Sequence, residues 1–172
     1  MPVTEVMTMR VAIISMDTVA SKGEAVDTAG ESVRDFLRDE GASIVSYAIL
    51  ACDRRAVASE ICNLADHYRA DIIFTVGRTG IGSGDIAPDV TYDVIEMEVP
   101  GIGEAMRACL MQDWPESILS RATAGVRQET LIINLWGEQA AIAAQLGSLW
   151  NVLPKAKGLL RGRGWLGEAK SR

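Results

Sequence analysis

The chain has 172 residues, 48% of them hydrophobic and 23% charged, with a net charge of −6. This length favours one domain spanning residues 1–172, with its core at about 10–160 between flexible ends. The composition excludes disordered, collagenous and coiled-coil classes, and the acid excess leaves no diffuse basic field for nucleic acid or an anionic membrane.

"RVAIIS" (10–15) is a short apolar run rich in β-branched residues, read as a buried strand, and it ends in a polar stretch containing Gly23 and Gly30. From Asp27 onward, Val33, Phe36 and Leu37 recur at helical spacing, and Gly41 is a stop signal. "ASIVSYAIL" (42–50) is a second strand, 56–68 carries Val57, Ile61, Leu64 and Ala65 as one helical stripe, and "DIIFTV" (71–76) is a third strand. Strand and helix alternating at this pitch imply right-handed crossovers in a parallel sheet, the α/β class. Helices follow near 91–97 and 101–112, then a hairpin or edge strand in "SRATAGVRQET", an apolar run at 131–135 and a helix from 138 to about 151. The basic "KAKGLLRGRGWLGEAKSR" reads as a solvated end.

Cys52, Cys62 and Cys109 form no Cys-x-x-Cys pair or zinc spacing, and as buried thiols they suit a reducing cytoplasm. His67 is the one histidine and falls at the outer end of a helix. No run reaches the roughly 18 apolar residues of a membrane span, so a cytoplasmic protein with no membrane partner is expected.

Open parallel sheets bind ligands beyond the carboxyl ends of their strands, where helix N-termini present free N–H groups. Asp17, Asp53 and Asp85 follow the first, second and third strands. In "GRTGIGSGD" the glycines 77, 80, 82 and 84 allow backbone amides close to a ligand, a nest suited to phosphate. Carboxylates beside a phosphate call for a cation, so Asp53 and Asp85 would hold Mg²⁺ directly or through its waters. A plain structural turn accounts for the same glycines, and spacing leaves both readings open.

"GRTGIGSGDIAPD", "EVPGIGEAMR" and "ILSRATAGVRQETLIINLWG" together resemble the molybdopterin-binding MoaB/Mog family. That family shows Gly-Gly-Thr-Gly, an acid and Thr-Pro-Glu, then Pro-Gly, Gly-Glu and Arg, and finally Leu-Ser-Arg, Ala-Gly and Leu-Pro-Gly. "IISMD" and "DTAG" are similar to its first strand end and first helix start, so the resemblance runs from about 10 to 160. It implies a three-layer sandwich with a mostly parallel central sheet, a homotrimer or hexamer, and Mg²⁺-dependent adenylylation of molybdopterin by ATP with release of pyrophosphate. Carried over to this chain, Asp53 and Asp85 surround the metal and reacting phosphates. The amides of Gly77, Thr79, Gly80 and Gly82 form the cradle, and Ser120 is a polar contact or the brace of a turn. Asp17 and Asp27 fall near the site, and Glu104 either supports it or lies on a solvated helix face.

Three residues depart from the pattern: Arg78 for the second glycine, Leu110 for a serine and Trp136 for the proline of Leu-Pro-Gly. Arg78 either reaches a phosphate with its forked guanidinium, or fills the site, pairs with Asp85 or Asp53, and marks a non-catalytic binding or scaffold paralogue. It also stands where the backbone angle of a glycine could be required. Trp136 is a stacking platform or a plug. Arg107 and Arg121 bind anions or form surface ion pairs of small value. Trp114, Trp150 and Trp165 read as core, interface and tail.

Overall fold

In the computed structural model, which describes residues 8–162, strands and helices run in the order β1 (Arg10–Met16), α1 (Thr28–Asp39), β2 (Ser43–Leu50), α2 (Arg54–Asp66), β3 (Ile72–Gly77), α3 (Ala87–Val94), β4 (Met97–Glu98), α4 (Pro100–Leu110), β5 (Ala124–Arg127), β6 (Thr130–Trp136), α5 (Gln139–Leu149) and α6 (Leu153–Leu160). The six strands form one sheet in the order β2-β1-β3-β6-β5-β4. The first four are parallel, while β5 runs antiparallel to both of its neighbours.

Strands buried on both faces explain why β1 and β3 are nearly unbroken apolar runs. Successive side chains still alternate: Val11, Ile13, Phe74 and Ile133 face a layer containing α1, α4, α5 and α6, whereas Ala12, Ile14, Ile73 and Ile132 face α2 and α3. The result is a three-layer α/β sandwich with a mostly parallel central sheet, the class that the strand and helix pattern predicts and the layering that the resemblance implies. Between the layers, Asn134 Nδ2 donates to Thr75 Oγ1 at 2.8 Å and to Thr91 Oγ1 at 2.7 Å, locking β3, β6 and α3 in one register. Each of these polar groups is buried and each has a partner, so none carries the cost of an unpaired one.

Asp27 sets the start of α1. Its Oδ1 accepts from Gly30 N at 3.0 Å and its Oδ2 from the Tyr47 hydroxyl at 2.6 Å. Gly30 therefore lies in the first turn of the helix, where a Cβ would stand 2.0 Å from Asp27 Oδ2. Burial pushes the Tyr47 phenol well above its ordinary pKa, and the hydrogen bond to Asp27 adds to this.

Several sequence expectations shift. The helix expected near 91–97 lies earlier, at Ala87–Val94, because Pro88 occupies its first turn, where a missing N–H breaks no bond. Met97 and Glu98 instead pair with Val126 and Gly125, so β5 is not an edge strand but is flanked by β4 and β6. None of the cysteines is fully buried, and Cys52 is exposed. His67 closes the C-terminus of α2, as its setting suggests. Trp150 packs edge-on against Phe36 with ring centres 5.7 Å apart; Trp165 lies outside the described residues.

The start of the basic C-terminal stretch is a packed helix rather than a solvated end. Lys157 Nζ lies 2.8 Å from Asp71 Oδ2 and Arg161 reaches Oδ1 at 2.6 Å, with the Asp71 side chain only 1% exposed. Arg10 N donates to Oδ2 as well, at 2.7 Å. Asp71 thus ties the beginning of β1 to α6. Replacing Asp71 with Ala leaves Lys157 buried without its counter-charge, which should destabilise the fold by about 3 kcal/mol. The urea midpoint measures this, and a loss below about 1 kcal/mol would show that α6 does not depend on the pair.

Candidate functional site

The chain leaves β1 to form β2 on one side and returns to form β3 on the other, so the crossovers diverge between β1 and β3. A crevice at the carboxyl ends of the strands is expected where this happens. A cavity of about 450 Å³ lies there, lined among others by Asp17, Thr18, Asp27, Arg78, Trp136 and Glu138. Asp17 Oδ1 accepts from Val19 N and Ala20 N and so fixes the turn that carries Thr18 and Val19 along the cavity. On the far wall Gly137 N donates to Gly77 O at 2.8 Å, and a Cβ on Gly137 would lie 3.2 Å from the Gly77 Cα. A side chain on Gly137 would therefore crowd the backbone of Gly77, while one on Gly77 would crowd Met16 of β1. Trp136 is fixed through its backbone by Gln145, which accepts from its N–H and donates to its carbonyl, and its ring meets Trp114 edge-on at 6.4 Å.

Beyond Gly77 the glycine loop folds around Asp85. Gly82 N donates to Asp85 Oδ2 at 3.0 Å, and a Cβ on Gly80 would stand 2.8 Å from that oxygen. The glycines admit a carboxylate of the loop itself. Neither these glycines nor Arg78 has a left-handed φ, so the concern that position 78 needs a glycine angle does not hold.

Arg121 makes the loop rigid, a role its reading as a surface ion pair misses. Its Nε donates to Gly80 O at 2.8 Å, one terminal nitrogen donates to Asp85 O at 2.7 Å, and both terminal nitrogens grip the Asp89 carboxylate. The Arg121 hydrogen bond holds the Asp89 carboxyl below the usual carboxylate range. Arg107 supports the same wall by donating to the carbonyls of Ser120 and Ala122. Ser-Arg after a leucine was a signal at motif level, but only tertiary contacts show that the arginine holds backbone oxygens far back along the chain.

Arg78 Nε lies 2.8 Å from Asp85 Oδ1, an ion-pair distance, yet its N–H is misaligned and that buried oxygen accepts no hydrogen bond. The two ends differ in setting, since the Asp85 side chain is 8% exposed and that of Arg78 74%. An exposed guanidinium is held weakly by such a pair and can swing away. Of the two predicted metal ligands, Asp85 lies behind the cavity wall with Oδ2 bonded to Gly82 N and Oδ1 ion-paired with Arg78, so it would serve Mg²⁺ with Arg78 moved aside. Asp53 is exposed, caps α2 by accepting from Ala56 N at 2.7 Å, and does not line the cavity. Among the described residues no three His, Cys, Asp or Glu side chains gather to hold a metal. Mg²⁺ often needs only one or two carboxylates when phosphates supply other oxygens.

The remaining predicted residues divide. Gly77 and Arg78 line the cavity; Gly80 and Gly82 face Asp85 instead. Thr79 is buried, with Oγ1 2.8 Å from Ser120 Oγ, and Ser120 Oγ also accepts from Ala122 N, so the serine braces a turn. Leu110 is a core residue and Glu104 is exposed.

Residues 12–155 match the family model described as "Probable molybdopterin binding domain". The chain is 32% identical over 157 residues to the molybdopterin adenylyltransferase of Helicobacter pylori strain J99, covering 90% of this chain and 89% of that one. It is 32% identical to molybdenum cofactor biosynthesis protein B of Escherichia coli K12, covering 80% and 81%. Among solved structures it is similar to the molybdopterin biosynthesis enzyme MoaB from Thermus thermophilus, with a TM-score of 0.83, 32% identity, and coverage of 92% and 99%.

Arg121→Lys removes the fork, so amides of the 78–89 segment should exchange with solvent at least about tenfold faster while the global midpoint shifts much less; unchanged exchange would show that Arg121 is not the clamp. Asp89 has a depressed folded pKa. Its stabilisation should be complete above the unfolded value of about 4 and be lost as pH falls through the folded value. Asp89→Asn should flatten that acid limb of the stability profile.

Proposed function

The chain belongs to the family of probable molybdopterin binding domains, and on that premise we propose that it adenylylates molybdopterin in molybdenum cofactor biosynthesis. The observation that carries the reading is the strand-end cavity with Gly77 and Arg78 on its wall, where the Arg78 guanidinium links the cavity to the buried Asp85 carboxylate of the glycine loop. In the proposed reaction a phosphate oxygen of molybdopterin attacks the α-phosphorus of ATP. The bond from that phosphorus to the bridging oxygen breaks, and pyrophosphate leaves. No protein nucleophile is needed, so the residues work by holding two polyanions in line and balancing charge.

Mg²⁺ would meet the chain at Asp85 and supply positive charge beside the phosphates. Arg78, released from Asp85, would give a forked contact to a phosphate. Trp136, anchored by Gln145, offers a flat surface at the cavity wall for a ring of either substrate. Asp53 acts through α2, whose first turn it caps at the edge of the same crevice. We place the reaction in the cytoplasm and in a homotrimer or a hexamer built from it. No helix among the described residues is long and apolar enough to cross a membrane.

A second reading is favoured by one observation: Arg78 stands against Asp85. If the pair persists with substrates present, the chain is a binding or scaffold paralogue that keeps the fold without turnover.

Pyrophosphate release from molybdopterin and MgATP distinguishes the two. Asp85→Asn keeps an acceptor for Gly82 N and removes only the charge, so release should fall roughly a hundredfold, the scale of losing one charge-stabilising contact. Unchanged release would remove Asp85 from the mechanism. No release from the native protein, with release appearing in Arg78→Gly, would establish the second reading.

A further inference from the structure

At the opposite end of the sheet, where β1, β3 and β6 begin, lies a cavity of about 790 Å³ lined by Arg10, Arg69 and Arg161 with Asp66, Asp71 and Glu129. We propose that it is a second binding site, independent of the strand-end crevice, which takes a small molecule through its phosphate group.

The charges do not simply cancel. Asp66 is held by Nε and one terminal nitrogen of Arg127, at 2.9 and 2.7 Å, and Asp71 by Lys157, Arg161 and the Arg10 amide. Both carboxylates are therefore committed to cations. Arg69 differs: among the described residues its side chain has no hydrogen bond and no ion pair, and Arg10 uses one terminal nitrogen on Tyr68 O. Glu129 is the one acid of the lining without a partner among the described residues, and it sits on the exposed turn between β5 and β6.

The backbone gives a separate reason. Only two non-glycine residues in the described chain have a left-handed φ, Arg69 at 52° and Gln128 at 53°, and both line this cavity. Arg69 stands two residues beyond His67, the cap of α2, in a turn closed by Ala70 N donating to Leu64 O, where a glycine would fit without strain, and its side chain makes no hydrogen bond or ion pair among the described residues. Strain of this kind collects where a side chain has a ligand to meet. Gln128 is held in its turn by Glu96, which accepts from its amide N–H and its side chain. Forked guanidinium groups from separate elements, around a polar space larger than one ion, suit a phosphate carried on a small organic body.

Calorimetric titration of the full-length protein with inorganic phosphate and with glycerol 2-phosphate, at fixed ionic strength, tests this. Both should bind. Arg69→Gly should weaken both by at least about tenfold, as expected for one lost charge-assisted contact, while melting at or above the native temperature because the backbone strain is gone. Arg54→Ala, which removes an arginine outside both cavities, should leave both affinities unchanged, which separates a built site from general charge. Absence of binding, binding retained in Arg69→Gly, or binding of inorganic phosphate alone would each overturn the proposal.

Discussion

One guanidinium governs the geometry of the candidate site. Arg121 binds two carbonyls of the glycine loop and one carboxylate of α3, so the loop, the start of that helix and the strand-leading turn move as one body. A loop with four glycines would otherwise lose much conformational entropy on ordering. With the clamp in place, Asp85 is carried inward and its oxygen is fixed beneath Arg78.

Much of this architecture could be read from the sequence because the sheet is buried on both faces. Apolar runs such as "RVAIIS" and "DIIFTV" have few alternatives to a parallel core, and Asp27 begins a helical pattern whose start it caps, whereas Asp53, read as a metal ligand, is found to cap α2. Short and tertiary features escaped. β4 has two residues and owes its existence to pairing with β5. The charge of Lys157 suggested solvent, and its partners Asp71 and the Thr8 carbonyl, both distant in the chain, explain its burial.

The site was legible in kind and less so in detail. Glycines, Asp85 and Arg78 do gather as the motif suggests, but the glycines make room for Asp85, and Ser120 faces Thr79. Residue spacing identifies which groups share a loop; it does not say which hydrogen bonds they spend on one another. That is why Arg121 and Arg107, whose partners are backbone oxygens, looked like surface cations.

Asp71 also bears on the order in which the fold can be completed. Its carboxylate enters the protein interior with β3, but the guanidinium of Arg161 lies 90 positions further along the chain. Until α6 docks, the carboxylate at the foot of the sheet has the Arg10 amide beside it and water where Lys157 and Arg161 will stand. Closing so long a loop is slow relative to local helix formation. The final helix therefore acts as a late checkpoint: intermediates without it should breathe at the amino ends of the strands, while the β1–β3 register and the crevice at the other end are already formed.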